Sequence, residues 1–367
     1  MTVPLALQRP SGRLEPRRVL LSTGLLDVTV SRADWPLDTL CGFAARNNPK
    51  RGFLVVSKVL GRHIGAPPDV MRRSAQSLAA RLPADLPGPV VVMGLAETAI
   101  CLGQTVHEEL CRMTGRDDLF FIHSTRQQLD HPLLCRFQEP HSHASAHLIY
   151  QPRFEPPRSL VLVDDELSTG TTLANLAAAV VEAWPGVKMI AVATLTDWSD
   201  GSWRARMPRP AHGVALLEGS LSWRASSEAS TLEGAAGALG RLAQHRNTGR
   251  LGLATRLTLD CPPPPPGSAP LRVIGTGECS YPAFRIAEDW QQAGRDVVVQ
   301  ATSRSPVRIG GAIHSTLRCA DNYATGVPNF LYNADVRREN WIVAEPGTAP
   351  VDPALLEALQ ARVASWA

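Results

Sequence analysis

A chain of 367 residues is long enough for two domains, each with its own apolar core. Its hydrophobic fraction of 44% is ordinary for a globular protein. The net charge of +3 gives no electrostatic reason to expect a nucleic acid or a membrane surface as a partner, and the seven cysteines include no C-x-x-C pair, so neither a zinc cage nor a disulfide framework is predicted.

The first segment, residues 1–18, is predicted to be a flexible lead. It has no apolar core of signal-peptide length, and no run in the chain approaches the roughly 20 apolar residues of a membrane helix. We therefore expect a cytoplasmic protein. Apolar runs predict one or two strands over residues 19–30 and a further apolar segment over 53–59, with a short helix over 37–46 between them.

A strand–loop–helix unit follows near residue 90. The continuous apolar run VVVM at 90–93 is typical of a parallel strand that is covered on both faces. Small residues follow it over 94–99, and a helix is predicted from there to Gly115. Glu97 within the loop leaves open an ordinary helix N-terminus with Glu in its first turn.

Segment 127–147 is long and has no clear periodicity. Loops of this length in compact domains are often lids. The segment carries Glu139 and three histidines, His141, His143 and His147. Three interpretations of the histidines stay open: a zinc site, polar contacts between a lid and its substrate, or surface positions.

The most informative stretch is LVLVDDELSTGTT at residues 160–172. Its four apolar residues predict a short buried strand, which ends in two carboxylates, Asp164 and Asp165. A small, hydroxyl-rich loop then opens a predicted helix over 173–184, so loop amides and the positive end of the helix dipole favour an anion. Carboxylates beside a phosphate pocket would repel the phosphate unless they bind a sugar diol or a divalent cation. A ligand that offers a phosphate, a diol and a metal is a phosphorylated ribose. The alternative is an N-capped helix with a chance Asp pair.

Strands and helices alternate from residue 90 to about 198, with a further strand over 188–195, which predicts an α/β fold with a parallel sheet flanked by helices. An Ala-rich helix is predicted over 232–243, and the five prolines at 262–266 indicate a stiff spacer. We therefore predict a first domain over 19–255, a Pro-rich linker over 256–270 and a smaller α/β domain over 271–367.

The second domain is predicted to have strands over 271–274 and 297–299 and a helix over 283–292. Gly275-Thr276-Gly277 resembles the start of a dinucleotide fingerprint, but Ser280 stands in place of the third glycine, which disfavours NAD.

A second candidate site follows the strand predicted over 297–299, because ligands of α/β sheets usually bind at strand ends. Arginines there suit a phosphate, and Asp or Asn side chains suit a sugar or base. The alternative is turns and caps rich in Asn and Asp. We expect this domain to process or sense the first domain's product. The candidate residues are Arg304, Ser305, Arg308, Asp321, Asn322, Asn329 and Asn333.

The 160–172 stretch resembles the signature of type I phosphoribosyltransferases, in which two acidic residues and a T/S-T-G-x-T loop bind phosphoribosyl pyrophosphate (PRPP). The resemblance implies that the acidic pair contacts the ribose hydroxyls, that the loop binds the 5′-phosphate, and that segment 96–99 binds pyrophosphate. It implies Mg²⁺ as the cofactor, bound through PRPP with help from Asp164, Asp165 or Glu97. The implied PRPP-binding residues are Asp164, Asp165, Ser168, Thr169, Gly170, Thr171, Thr172, Ala96, Glu97, Thr98 and Ala99.

Further motifs are similar to the phosphoribosyltransferases linked to bacterial tellurite-resistance (Ter) stress operons, which carry a C-terminal TRSP domain. In the first domain these motifs are segments 48–61, 94–99, 123–126 and 139–144. In the second they are GTGE at 275–278, TSRSP at 302–306 and segment 321–333. The TRSP domain is named after the sequence Thr-Arg-Ser-Pro, and in this chain Ser303 stands in place of that threonine. The resemblance implies a type I phosphoribosyltransferase-like (Rossmann-like) sheet and leaves room for a homodimer and for stress-operon partners.

The implied activity is PRPP-dependent transfer of the phosphoribosyl group to a nitrogenous base or base-like acceptor, with release of pyrophosphate, making a nucleotide-like product in a tellurite or stress response. Lys58 and Arg126 are candidates to contact pyrophosphate, and Glu139 to handle a proton. Ser168 stands where some purine-salvage relatives have Asp, which disfavours the hypoxanthine/guanine type and leaves orotate, adenine or unusual acceptors open. The alternative is a PRPP- or nucleotide-sensing protein without turnover.

Overall fold

The computed structural model describes residues 16–46, 48, 51–138, 146–226, 239–242 and 246–366. Two mainly parallel sheets with flanking helices organise these residues, so the predicted α/β fold is confirmed. Residues 1–15 of the predicted lead and most of the helix predicted over 232–243 lie outside the described residues. Among the described residues, no helix combines the length and apolarity needed to cross a bilayer.

The described residues before the proline run at 262–266, called the first half below, build the larger sheet and most of the helices. Those after it are called the second half. The helices of the first half are α1 (Leu37–Leu40), α2 (Pro68–Ala79), α3 (Ile100–Thr114) and α4 (Thr171–Ala183), and a 3-10 helix covers Ser202–Arg206. Its strands are β1 (Arg17–Leu21), β2 (Gly24–Ala33), β3 (Cys41–Ala45), β4 (Phe53–Ser57), β5 (Val90–Gly94), β6 (Leu119–His123), β7 (Gln127–Gln128), β8 (Leu133–Gln138), β9 (Ala146–Tyr150), β10 (Ser159–Leu167), β11 (Met189–Asp197), β12 (Ala211–Ala225) and β13 (Gly240–Arg241).

The helix predicted over 37–46 is wrong beyond its first turn. α1 ends at Leu40, and Cys41–Ala45 instead pairs antiparallel with β4, with Phe43 opposite Val55. Four of the five residues of β3 have apolar side chains that are buried against neighbouring elements. Tertiary packing therefore overrides the local helical pattern here.

The central sheet has seven strands in the order β1-β2-β12-β11-β10-β5-β6. The strands from β12 to β6 run parallel, and β2 and β1 continue the sheet antiparallel. The apolar runs at 90–93 and 160–163 are fully buried, as expected for strands covered on both faces. Gly94 lies opposite Val163, so the carboxyl ends of β5 and β10 lie side by side.

Segment 127–147 is not the irregular loop that its lack of periodicity predicted. β8 pairs antiparallel with β9, and the hairpin packs on α4, where Asn175 Nδ2 donates to the Gln138 carbonyl at 2.9 Å. Residues 139–145, including Glu139, His141 and His143, lie outside the described residues, so their predicted roles stay predictions.

The second half forms a four-stranded parallel sheet in the order β15-β14-β18-β19. The predicted strands at 271–274 and 297–299 and the helix between them are confirmed, although the helix begins earlier, at Ser280. A separate antiparallel pair, β16 and β17, packs beside the sheet. The elements are β14 (Leu271–Gly275), α5 (Ser280–Gln292), β15 (Val297–Ala301), β16 (Thr316–Cys319), β17 (Asn329–Tyr332), β18 (Glu339–Val343), α6 (Pro353–Leu359) and β19 (Arg362–Val363).

The two halves share an apolar interface. Ala66 and Met71 of the first half pack in one cluster with Val273 and Phe284 of the second. Ala66 also exchanges two backbone hydrogen bonds with Val299 on the edge strand β15, at 2.9 and 2.8 Å. The proline run lies against α5, where Trp290 Nε1 donates to the Pro262 carbonyl at 2.8 Å. The domain boundaries stay a prediction, but the halves are held in fixed register.

Candidate active site

A cavity of about 750 Å³ lies between the two halves. Three segments that follow buried parallel strands line it: the β5 loop (residues 95–98), the β10 loop (residues 168–172) and the β15 turn (residues 302–306), of which residues 303–306 face the cavity. The β3–β4 hairpin and segment 326–330 complete the wall. Carboxyl ends of parallel strands are the usual ligand positions in α/β sheets, and here both sheets direct theirs to one cavity.

The β10 loop has the geometry of a phosphate site. Ser168 and Thr169 are exposed, and Thr171 opens the 13-residue helix α4. Gly170 has φ +71°, and a Cβ there would lie 2.5 Å from the Cβ of buried Trp203, so both backbone and space require glycine. The positive end of the helix dipole therefore lies beside exposed loop residues, which suits an anion.

Two half-buried carboxylates lie near the carboxyl end of β10, shortly before this loop. The backbone amide of Asp165 donates to Asp164 Oδ1 at 2.9 Å. Burial raises the pKa of Asp165 to about 6, and the Glu166 charge adds to the rise, while Asp164 and Arg62 act against it. Asp165 is therefore mostly ionised at pH 7 but close enough to its pKa to respond to mild acid.

The β5 loop is supported from behind by β6 and β9. Leu95 N donates to the Val163 carbonyl at 3.2 Å, which holds the loop beside the two aspartates. Ala96 N donates to Ser124 Oγ at 2.8 Å, and that hydroxyl lies 2.9 Å from His147 Nδ1. Of the four residues predicted to bind PRPP in this loop, Ala96, Glu97 and Thr98 line the cavity, whereas Ala99 is fully buried at the start of α3 and does not.

Glu97 joins two arginines at the β5 loop. Arg62 Nη2 donates to its Oε2 at 2.5 Å, and Arg304 Nε lies 3.1 Å from its Oε1. Burial lowers the pKa of Arg62, and the charges of Glu97 and Asp165 oppose that effect. Because both carboxylate oxygens face guanidinium groups, we no longer assign Glu97 to magnesium.

Of the two predicted pyrophosphate cations, the structure brings only Arg126 to the cavity. Its backbone amide donates to Glu278 Oε1 at 2.7 Å. Lys58 lies elsewhere, and its ammonium donates to the Asp38 carbonyl at 2.7 Å. We therefore leave Lys58 out of the proposed site.

Glu278 ties Arg126 to the second half through a buried ion cluster. Arg250 Nη2 lies 2.8 Å from Glu278 Oε2 and 2.8 Å from Glu345 Oε2, and the three side chains are almost completely buried. Burial by itself raises the pKa of Glu278, but the charges of Arg250 and His123 and the hydrogen bonds from Arg126 N and Thr125 together outweigh it and lower that pKa to about 2. A carboxylate held ionised in this way positions the backbone of Arg126.

The predicted second-domain site is not a separate site. Arg304 and Ser305 line the shared cavity, whereas Asp321 lies behind Arg304, with Oδ1 3.8 Å from Nη2. Asn329 Nδ2 lies 3.4 Å from the same Asp321 oxygen. Asp321 and Asn329 therefore support Arg304 and do not line the cavity.

The remaining second-domain candidates also have structural partners. Asn322 Nδ2 donates to the hydroxyls of Thr276 and Thr348 at 3.1 and 3.0 Å. Asn333 Nδ2 donates to the His63 carbonyl of the first half at 3.1 Å. The Arg308 backbone amide donates to the Ala45 carbonyl at 3.0 Å. None of the three lines the cavity. The side-chain amides of Asn322 and Asn333 are used in turn and interface hydrogen bonds.

The sequence did not single out most of the arginines of the cavity. Among the described residues, six arginines and four carboxylates line it, and Arg46, Arg51, Arg62 and Arg318 were not predicted. The motif at 48–61 ends one residue before Arg62, which was the available signal. The excess of positive charge favours a polyanionic ligand.

The donor set fits magnesium that arrives with its ligand. Among the described residues, no group of three or more His, Cys, Asp or Glu side chains is arranged to hold a metal. Asp164 and Asp165 nevertheless present carboxylate oxygens to the cavity. Mg²⁺ is typically bound by one or two carboxylates together with substrate phosphates and waters, so this pair fits it.

Residues 40–220 match the family model described as phosphoribosyl transferase, and residues 264–360 match the TRSP domain that is C-terminal to it. The chain is a phosphoribosyltransferase with a TRSP domain. The transferase match includes the β5 and β10 loops, and the TRSP match includes the β15 turn. The predicted resemblance is confirmed at this level, and the link to tellurite-resistance operons is not tested by it.

Solved phosphoribosyltransferases are similar to the first half. The adenine phosphoribosyltransferase of Rhodothermus marinus is 19% identical, with 49% of this chain and 97% of that chain covered and a TM-score of 0.33. The Giardia lamblia adenine enzyme with 9-deazaadenine is 17% identical, with 50% of this chain and 98% of that chain covered and a TM-score of 0.35. The hypoxanthine enzyme of Staphylococcus aureus is 16% identical, with 38% of this chain and 68% of that chain covered and a TM-score of 0.25. Similarity at this level carries no argument about substrate. No curated protein matches the chain.

Proposed function

We propose that this phosphoribosyltransferase transfers the 5-phosphoribosyl group of PRPP to a nitrogenous base or base-like acceptor and releases pyrophosphate. The observation that carries the proposal is the convergence of Asp164 and Asp165, the β10 loop and the β5 loop on one arginine-rich cavity. Along the ligand, the β10 loop suits the 5′-phosphate, the two aspartates suit the ribose diol, and the β5 loop suits the pyrophosphate.

The chain's own residues bind PRPP in three parts in this proposal. The β10 loop and the N-terminus of α4 hold the 5′-phosphate through backbone amides. Asp164 and Asp165 accept hydrogen bonds from the ribose hydroxyls. The β5 loop, with Arg62 and Arg126, holds the pyrophosphate. When bound, Mg²⁺ would lie with Asp164 and Asp165 and would neutralise part of the pyrophosphate charge.

Transfer breaks the bond between C1 and pyrophosphate while an acceptor nitrogen attacks from the opposite face of the ribose. Positive charge develops on the sugar and negative charge on the leaving group. Asp165 beside the sugar and Arg62 beside the leaving group suit that change, because fixed charges stabilise a charge-separated transition state without reorganisation. Leu54, Val327 and Phe330 provide apolar wall that limits water, which would otherwise hydrolyse PRPP.

From the motif resemblance we further propose a nucleotide-like product in a tellurite or stress response, and a homodimer or stress-operon partners. The cytoplasmic location proposed from the sequence composition belongs with them. Glu139 remains the proposed proton-handling residue. The alternative function is a PRPP or nucleotide sensor without turnover.

The decisive experiment measures pyrophosphate release from PRPP and Mg²⁺ with a panel of bases that includes adenine, hypoxanthine and orotate. We expect release with at least one base. The double variant Asp164→Asn with Asp165→Asn should reduce turnover by roughly 10²–10³-fold, because it removes both charges from the ribose site. Asp296→Asn is the matched control, since the Asp296 side chain is 63% exposed and pairs with Arg338 away from the cavity.

Calorimetry with PRPP and Mg²⁺ separates the two functions. Heat of binding together with release supports transfer, and binding without release from any base supports the sensor. Absence of both binding and release would contradict the whole assignment.

A further inference from the structure

Through the β15 turn, the second half contributes residues to the cavity wall, and hydrogen bonds fix the backbone of this turn. Thr302 N donates to the Gly275 carbonyl at 3.0 Å, and its hydroxyl accepts from Gly277 N at 2.8 Å. Ser303 exchanges two backbone hydrogen bonds with Phe330, at 2.8 and 2.7 Å. These bonds place Arg304 at the cavity in one position, as expected of a binding residue and not of a mobile surface cation.

The Arg304 side chain is buried without being fully satisfied. Only 9% of it is exposed, between Glu97 of the first half and Asp321 of the second. Its Nη1 atom is buried and has no hydrogen-bond partner among the described residues. Buried guanidinium N–H groups nearly always have an acceptor, so this donor indicates a ligand oxygen that fills the cavity.

The same carboxylate that meets Arg304 also meets Arg62. The two halves exchange contacts here, because Arg62 Nη1 donates to the Gly277 carbonyl at 3.1 Å while Arg304 reaches Glu97. Two neighbouring guanidinium groups repel each other unless an anion lies between them, and Glu97 provides that anion in the free protein. This explains why a loop expected to bind a polyanion carries an acidic residue.

A diphosphate is the ligand class that these donors suit. Arginine presents planar N–H groups that match phosphate oxygens, and such charge-assisted bonds are stronger than neutral ones. Arg304 lies at the β5 loop, which binds the pyrophosphate in the function proposed above. The β10 loop, in contrast, offers backbone amides for a single phosphate.

We propose, on the basis of that function, that Arg304 of the TRSP domain binds the pyrophosphate of PRPP together with Arg62. The second half then supplies part of the transferase site and does not hold a separate site for the product. Glu97 positions both arginines before PRPP binds.

The test uses the full chain and does not require the acceptor to be known. Titration calorimetry with inorganic pyrophosphate and Mg²⁺ compares wild type, Arg304→Ala, Arg304→Lys and the control Arg337→Ala. Arg337 is a suitable control because its side chain is 87% exposed and pairs with Asp335 at the surface. We expect Arg304→Ala to weaken binding by roughly 10- to 100-fold, Arg304→Lys to weaken it less, and Arg337→Ala to leave it unchanged. With an active acceptor, KM for PRPP should rise in the same order.

Wild-type affinity for pyrophosphate in a folded Arg304→Ala variant would overturn the proposal. If Arg304→Ala does not fold, Arg304→Lys decides, because it keeps the charge beside Glu97 but loses the planar Nη1 donor; unchanged affinity there would also overturn it. Turnover by wild type with no effect of either variant would contradict only the role of Arg304. Pyrophosphate binding that depends on Arg304, in a wild type without turnover, would support that role and contradict the transferase activity.

Discussion

The β10 loop and the β15 turn hold the same place in their sheets but work by different chemistry. Each follows a buried parallel strand and lines the same cavity. The β10 loop leads directly into α4 and offers backbone amides, whereas the β15 turn leads into no helix and offers the Arg304 side chain. Backbone amides form a site from local sequence alone, but a buried arginine needs carboxylates from elsewhere to hold it.

The difference teaches that the two regions depend on the fold to different degrees. The acidic pair and the β10 loop together lie within nine residues, from Asp164 to Thr172. The β15 turn holds Arg304 in place only with Glu97 on one side and Asp321 on the other, and these two carboxylates lie in different halves of the chain. Changes at the interface should therefore harm the β15 turn more than changes of similar size within the β10 loop.

The largest effect is expected from separating the two halves at their buried ion cluster. Arg250→Met leaves Glu278 and Glu345 buried without their cation, which should reduce the free energy of unfolding by about 3–5 kcal/mol. The matched control, Arg337→Met, should cost less than about 1 kcal/mol because that ion pair is exposed. Chemical denaturation measures both. Equal effects would show that the cluster does not hold the two halves together.

An intermediate effect is expected within the β10 loop itself. Gly170→Ala places a Cβ at positive φ and 2.5 Å from Trp203, whereas at Gly115, with φ +65°, an added Cβ meets nothing within 4 Å. We expect the free energy of unfolding to fall by about 2–3 kcal/mol for Gly170→Ala and by about 1 kcal/mol for Gly115→Ala. Both substitutions force alanine into the left-handed backbone conformation, but only the one at Gly170 also clashes with a neighbour. Thermal unfolding and KM for PRPP test this.

A rise in KM limited to Gly170→Ala would show that the loop's shape serves phosphate binding. Equal stability losses at the two glycines would remove the role assigned to Trp203 beneath the loop.

The smallest effect is a pH dependence that belongs to the β10 side of the cavity. The folded pKa of Asp165, about 6, lies above the usual value near 3.9, so the folded state binds the proton more tightly than the unfolded state. Stability from this group is therefore present below about pH 4 and is lost as pH rises through 6. Asp165→Asn should raise the free energy of unfolding at pH 7 by about 1–2 kcal/mol while impairing PRPP binding.

PRPP affinity should change in the opposite direction to stability. Between pH 7 and pH 5 the Asp165 carboxylate takes up its proton, and affinity should fall by roughly tenfold. Calorimetry across this range checks the expectation, and Asp165→Asn should flatten the profile. An identical slope in the variant would assign the pH dependence to another group.

The sequence could predict those parts of the site whose chemistry is contiguous. Asp164, Asp165 and the β10 loop follow a strand and open a helix, so each partner is set by its neighbours in the chain. The same holds for the buried strands at 90–93 and 160–163, because apolar runs of that length need cover on both faces. Sequence-based prediction failed for short segments without such a pattern, as β3 and the β8–β9 pair show. Each pairs with the next strand along the chain, but packing against the core clusters holds the pair in place, and no local pattern predicts that packing.

By itself, then, the sequence determined the α/β class and the family, and it singled out the acidic pair and the β10 loop, which line the cavity. Only the tertiary structure decided that Arg62, Glu97 and Arg304 meet, that Asp321 and Asn329 support Arg304, and that Lys58 lies outside the cavity. The physical reason is that a buried ion pair is specified by where two surfaces come together in space. Neither the local propensity nor the periodicity of the two partner segments predicts that they will come together.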